Sequence, residues 1–144
     1  MAVTAYWYGL AFSKAFNKEI DLDSDTIKCA LAASGYTPSQ DTHDYFNDVT
    51  NQATGTGYST GGATLANKAV SYTAATNIWK FDADDVVWSN SSISARYAVV
   101  YCSTGTGSTS ALLGYVDFGQ TETSSSGSYK ITWSSSGILR VTVS

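Results

Sequence analysis

The clearest pattern along the chain is an alternation of apolar and polar residues in short runs, separated by Ser, Thr, Asn and Gly. At 139–143, for example, Leu139, Val141 and Val143 alternate with Arg140 and Thr142. Since successive side chains of a strand point to opposite faces, this alternation predicts a strand with one buried face. Runs of this kind predict strands at 26–33, 66–73, 77–82, 85–89, 94–103, 111–118, 128–134 and 138–143.

Short strands joined by polar, Gly-containing turns are typical of an all-β domain. The pattern therefore predicts a mainly β fold, a single-domain β-sandwich or jelly-roll-like fold with a short N-terminal helix or arm and a long loop. A chain of 144 residues has the usual length of one domain. We expect the helix or arm at 1–17 and a single β domain at 18–144.

The N-terminal segment is rich in aromatic residues, and Tyr8, Phe12 and Phe16 recur every four residues, as on one stripe of a helix. Two interpretations are open. The first is a short helix that covers the end of the sheet. The second is an arm that docks on a neighbouring subunit, because Tyr6, Trp7 and Tyr8 are consecutive and cannot all face the same core. The arm interpretation predicts that removing the first dozen or so residues leaves the β fold intact.

A long polar stretch at 34–62 follows the first predicted strand. It predicts an excursion across the surface, in which 41–48 forms one helical turn capped by Asp41 or Thr42. Loops of this length are usually functional, and in a structural protein that function is contact with another subunit.

Composition changes this picture in one respect, because only 14% of the residues are charged, against about 25% in an average soluble domain. A surface of Ser, Thr, Asn and Gly suits proteins that pack beside copies of themselves.

The net charge of -4, with eight scattered basic residues, argues against a nucleic-acid partner, because phosphate binding needs clustered Lys and Arg. No apolar run approaches the roughly 20 residues of a membrane span.

The first ten residues lack the basic and apolar regions of a secretory signal, so we expect synthesis and retention in a cytoplasm. In that reducing compartment, Cys29 and Cys102 are interpreted as small buried hydrophobic residues.

Candidate catalytic groups are few. His43 is the only histidine, and although Asp41 and Asp44 lie beside it, no nucleophile motif accompanies them. We interpret His43 as hydrogen-bonded within its loop. The sequence therefore predicts a protein that is not an enzyme.

Two groups of carboxylates resemble ligand sets. The Asp21-x-Asp23-x-Asp25 pattern resembles the start of a calcium loop, but Thr26 and Ala32 occupy the positions that require Gly and Glu. A turn in which Asp side chains accept bonds from backbone N–H groups explains it better.

The second group is Asp82, Asp84 and Asp85, at a predicted turn between strands. Solvated turn residues are the default interpretation, with a bound cation or glycoside hydrolysis as alternatives. No metal and no cofactor is expected. Trp79, Trp88 and Trp133 lie in alternating runs, which favours core packing over stacking on sugars.

The chain resembles a family of small virion structural proteins of tailed bacteriophages from about residue 17 onward. The stretches that carry the resemblance are DTIKCAL at 25–31, YTPSQDTHDYFNDV at 36–49, GTGYSTGG at 55–62, KFDADDVVW at 80–88, ARYAVVY at 95–101 and LGYVDF at 113–118. None of them is a catalytic signature.

The resemblance implies a decoration or cement protein on the outer capsid surface, assembled in the host bacterial cytoplasm. Its implied partners are the major capsid protein and copies of itself, as a homotrimer. Alternatives are a neck, tail or head-fibre component and a host-surface carbohydrate-binding module. We expect the contacts to be made by aromatic residues and their neighbours in the arm and the long loop: Tyr6, Trp7, Tyr8, Phe12, His43, Asp44, Tyr45 and Phe46.

Overall fold

The computed structural model describes residues 2–144, which form ten strands and one helix. The strands are β1 (Thr4–Trp7), β2 (Ile27–Ala32), β3 (Ala63–Thr64), β4 (Ala69–Thr73), β5 (Ile78–Asp82), β6 (Val86–Ser91), β7 (Ser94–Cys102), β8 (Leu112–Thr123), β9 (Gly127–Ile131) and β10 (Leu139–Thr142). The helix α1 spans Leu10–Phe16, and 3₁₀ turns lie at Phe46–Asp48 and Gly107–Thr109. No helix within residues 2–144 has the length and apolar character needed to cross a membrane.

All strand pairs are antiparallel and form three sheets. The large sheet has the order β1-β8-β7-β2-β3, the small sheet has the order β10-β5-β4, and β6 pairs with β9. The main core lies between the large sheet and the other two, where Cys29, Leu31 and Val100 face Phe81 and Leu139. The predicted mainly β, sandwich-like single domain is thereby confirmed.

The large sheet is buried on its second face as well. Tyr36 and Val49 of the long loop pack there on Val99, Tyr101 and their neighbours. This explains why β2 and β7 are almost continuously apolar, since strands that are covered on both faces have no polar side. The long loop therefore lies across this face of the sheet as a third layer of the protein.

Gly62 shows how closely this loop lies against the sheet. Its φ of +76° is in the left-handed region, and a Cβ at this position would collide with the carbonyl oxygen of Cys29. Only glycine allows the chain to turn here into β3, which pairs with β2.

All eight predicted strands are present, with ends that differ from the prediction by at most a few residues apart from β8, which continues to Thr123. The predicted helical stripe is wrong at its start. Thr4–Trp7 is an edge strand paired with β8, and the helix begins only at Leu10. Pairing with the sheet prevails because consecutive aromatic residues favour strands and Gly9 weakens a helix.

The helical turn predicted at 41–48 is also shorter than expected. It spans Phe46–Asp48, and its N-cap residue is Tyr45, without a side-chain cap. Asp41 and Thr42 cap nothing, whereas the Asp48 carboxylate accepts a bond from the Asp44 N–H at 2.9 Å.

Both cysteines are buried and free, as their interpretation as small hydrophobic residues requires. Burial raises the pKa of each thiol to about 12. Thiols held protonated in this way are poor nucleophiles.

Candidate docking surface

An apolar groove of about 800 Å³ opens between helix α1 and the small sheet. We call it the apolar groove. Its sides are formed by Phe12 and Phe16 of α1 and by Val70 and Tyr72 of β4, and Trp79 of β5 lies between them. The full lining is Trp7, Ala11, Phe12, Ala15, Phe16, Lys18, Ile20, Asp21, Leu22, Asp23, Val70, Tyr72, Trp79, Leu113, Val141 and Val143.

The groove follows from the register of the small sheet. Leu139, Phe81 and Val70 lie directly opposite one another, and so do Val141, Trp79 and Tyr72, so that both rows share one face. The first row reaches the core, where Phe81 and Leu139 are buried. The second row extends past the core and faces α1 across the open groove.

Large apolar side chains at the groove remain exposed. Phe16 is 86% exposed, Val143 54% and Tyr72 53%, while Phe12 and Val70 are just over one third exposed. The three aromatic residues of this set expose roughly 300–400 Å² together, given 150–250 Å² for a whole aromatic side chain. A patch of this size on a monomer is often an interaction site.

Trp7 and Phe12 were both predicted as contact residues, and both lie at this groove. Their rings pack together with centroids 4.8 Å apart, and Trp7 also lies 6.2 Å from Trp79. The Trp7 Nε1–H donates to the carbonyl oxygen of Arg140 at 3.0 Å, which ties β1 to β10. Trp7 is therefore a half-buried support for the groove, whereas Phe12 and Phe16 are its exposed side.

Tyr6 and Tyr8 point to the other face of the large sheet. Tyr6 stacks on Tyr115 at 5.0 Å and stays partly exposed. Tyr8 is fully buried, so its predicted role as a surface contact is wrong: the strand pairing of β1 turns this ring into the core.

A buried polar chain anchors Tyr8 to the long loop. Its hydroxyl lies 2.8 Å from that of Tyr36, which lies 3.0 Å from Nδ1 of His43. Burial is the main cause that raises the pKa of Tyr8 above its ordinary value, and it raises the pKa of Tyr36 to about 12. The prediction that His43 hydrogen-bonds within its loop is confirmed.

The other predicted loop residues also bind their own chain. Lys14 of α1 lies 3.4 Å from the Asp44 carboxylate and 3.9 Å from the centre of the Tyr45 ring, and the Tyr45 hydroxyl donates to Glu19 at 2.8 Å. Hydrogen bonding to Tyr45 is the main cause that raises the Lys14 pKa.

Phe46 stacks on Tyr101, with ring centroids 4.0 Å apart. The four predicted loop residues thus contact Tyr36, Lys14 and Tyr101 of their own chain. They are not among the residues that line the apolar groove.

The carboxylates of the predicted turn have separate partners. Asp82 accepts from the Ala83 N–H, Asp84 accepts from the Asn67 side chain, and Asp85 pairs with Lys130 at 3.0 Å. The bond from Lys130 is the main cause that holds the Asp85 pKa below its usual value.

The first acidic group forms the predicted turn, in which the N–H groups of Asp23 and Ser24 donate to Asp21. Within residues 2–144, no three His, Cys, Asp or Glu side chains lie close enough to hold a metal ion.

The tryptophans outside β1 are at least half-buried. Trp88 belongs to the core, Trp79 lies in the groove, and the Trp133 Nε1–H donates to the Asp84 carbonyl oxygen at 3.1 Å. Core packing thus explains Trp88 fully and the other two in part.

A second cleft of about 750 Å³ lies beside β9 and is lined by Phe118, Glu122, Tyr129, Lys130 and Trp133, among others. The Tyr129 hydroxyl there is buried and has no hydrogen-bond partner among residues 2–144.

The candidate contact residues predicted from the sequence did not include Val70, Tyr72 or Val143, which line the groove. The alternation at 69–73 does place Val70 and Tyr72 on one face, but only the sheet order shows that this face lies at an open edge.

In comparisons with known proteins, no family model, no curated protein and no solved structure matches the chain.

Proposed function

We propose that this chain is a structural subunit of a tailed-phage virion, a capsid decoration or cement protein that binds the major capsid protein and copies of itself. The observation that carries the proposal is the apolar groove, a surface with several exposed aromatic side chains. A surface of this kind acts by binding another protein chain.

The resemblance to virion proteins supports the proposal through the fold. Its stretches coincide with β2, the long loop, the end of β5, the start of β6, β7 and the start of β8, which together make up much of the buried scaffold. Phe16, Tyr72 and Val143 lie outside these stretches. The resemblance therefore concerns the fold, whereas the proposal that the groove binds a partner rests on its exposed aromatic residues.

The proposed mechanism needs no reaction. A rigid subunit that contacts two neighbouring capsid proteins stabilises the shell by mass action, because it binds the assembled state and not the separated one. Once one contact is made, the second forms at a high effective concentration.

The experiment is a binding assay with purified capsids that lack this protein, followed by heating of the decorated particles. Val143→Asp places a charge in the groove, and Val87→Asp is its matched control, since Val87 is 48% exposed on β6 outside the groove. We expect Val143→Asp to weaken capsid binding at least about tenfold, the effect of losing an interface anchor. Val87→Asp should bind and protect like the unmodified protein.

Equal binding by both variants would remove the groove from the interface. Copy number in purified virions tests the location. A number matching that of the major capsid protein supports a cement protein, whereas one ring of copies per particle would instead assign the chain to the neck, tail or head fibre.

A further inference from the structure

Strand β4 is an open edge of the small sheet. It pairs with β5 on one side only, and all five of its residues are exposed. Within residues 2–144, its outer edge receives no hydrogen bond apart from those of the turn that begins at Thr73. A row of N–H and C=O groups is therefore free to pair with another strand.

This edge also lacks the usual protection against pairing. Its sequence, Ala-Val-Ser-Tyr-Thr, contains no charge and no proline, and it is rich in residues that favour strands. The nearest charge along the chain, Lys68, donates from its ammonium to the carbonyl oxygen of Asp25.

Several other edges are protected. The edge strand β3 has only two residues, and β6 has a register irregularity between Trp88 and Ser91. Strands β1 and β10 lie beside each other, joined by the bond from Trp7 to Arg140. Short, bulged or covered edges do not pair readily, so β4 is more accessible to a partner than these four strands.

We propose that β4 pairs with β4 of a second copy of this chain, antiparallel and about a two-fold axis at Ser71. This inference rests on the proposed function, because it names one of the partners of that structural subunit. The two small sheets become one six-stranded sheet, in the order β10-β5-β4-β4-β5-β10.

The register follows from the side chains. Directly opposite residues in an antiparallel pair point to the same face, so the apolar Val70 and Tyr72 must meet apolar partners. Centring the pair on Ser71 places Val70 opposite Tyr72 of the second copy, twice, and Ala69 opposite Thr73. An aromatic residue opposite a β-branched one is a favourable cross-strand pair. The pairing also brings no charge opposite a like charge.

Strand β4 supplies part of the interface that a pair of subunits needs. A stable interface buries about 800 Å² per partner. The exposed side chains of Val70 and Tyr72 and the free backbone edge of β4 form its centre. Assembly then stops at two copies, since both outer edges of the joined sheet are β10, which lies against β1 of its own subunit. The contact is a closed two-fold, not the three-fold ring implied by the resemblance.

The test is sedimentation of the purified full chain at tens of micromolar. We expect a species of twice the 15.3 kDa chain mass. Ser71→Lys and Ser71→Glu each place like charges opposite one another at the two-fold axis, so each should sediment as a monomer. An equimolar mixture of the two variants should form a heterodimer, because the opposite charges then face each other.

Thr142→Lys is the matched control, since Thr142 lies on the same face of the same sheet at its other edge strand and should leave the dimer intact. Circular dichroism checks the fold of every variant. Lys80 lies opposite Ser71 within the subunit, so Ser71→Glu is the variant that the fold accepts more readily.

A monomer or trimer of the unmodified chain would overturn the inference. So would dimers of both Ser71 variants, or a mixture that fails to associate. Capsid binding separates this outcome from the proposed function: a monomer that still decorates capsids refutes the β4 pair alone, whereas a dimer without affinity for capsids refutes the virion role alone.

Discussion

Tyr8 anchors the N-terminal segment in the core. The loss in the free energy of unfolding on its substitution measures how strongly the segment is held. Its ring is fully buried and lies 5.1 Å from that of Tyr115, and its hydroxyl binds Tyr36 at 2.8 Å. Tyr8→Ala removes a buried aromatic ring, which costs about 3–5 kcal/mol of the free energy of unfolding. Tyr8→Phe removes one hydrogen bond only and should cost about 1 kcal/mol.

Urea unfolding followed by circular dichroism measures both values. With an m-value of about 2 kcal/mol/M, Tyr8→Ala should lower the midpoint by roughly 2 M. Tyr6→Ala is the control, because Tyr6 stacks on the same Tyr115 ring from a partly exposed position and should cost only about 1 kcal/mol.

A Tyr8→Ala variant no less stable than Tyr6→Ala would refute this reasoning. It would mean that the segment is a loosely held arm, as the sequence alone allowed. If Tyr8 is the anchor, removing the first dozen residues should destabilise the fold and not leave it intact.

Two further predictions concern pH and the long loop. Burial raises the pKa of Cys29 and of Tyr36 to about 12, from 9.0 and 10.0. As the pH rises, the unfolded chain therefore loses these protons at a lower pH than the folded chain does. The free energy of unfolding should be highest below pH 9 and should fall between pH 9 and 12, by up to about 1.4 kcal/mol per pH unit for each group. Urea midpoints at pH 8 and 11 test this, and equal midpoints would contradict it. Gly62→Ala should destabilise by about 1–3 kcal/mol more than Gly105→Ala, because both have positive φ but only Gly62 faces the Cys29 carbonyl. Thermal unfolding of both variants measures the difference. Equal losses of stability would show that the loop moves to accommodate the added Cβ.

The strands were predictable because their signal is local. Alternation at 139–143 or 77–82 reflects one buried face, and the structure places Leu139 and Phe81 in the core accordingly. The edge strand β1 was not predictable, since its four residues gain their conformation from pairing with β8, more than one hundred residues away. The four-residue spacing of Tyr8 and Phe12 does not reveal that pairing with β8 competes with helix formation in this segment.

The candidate docking surface was predictable only in part. Aromatic content identified the N-terminal segment, and Phe12 does line the groove. Only the sheet order shows that Val70 and Tyr72 lie on an edge strand at the groove, and sheet order cannot be predicted from the periodicity of the sequence. His43 was correctly assigned to its loop, but its link through Tyr36 to Tyr8 joins residues that are distant in sequence.

The pairing of β1 with β8 has a consequence for synthesis of the protein. Residues 4–7 are synthesised more than one hundred residues before their partners at 114–117. Strand pairs with such a sequence separation form slowly, because a long loop must close before any contact is gained. The nascent chain therefore carries the apolar sequence Tyr-Trp-Tyr unpaired until residues 114–117 have been made, and during that time it is a target for chaperones that bind exposed aromatic segments.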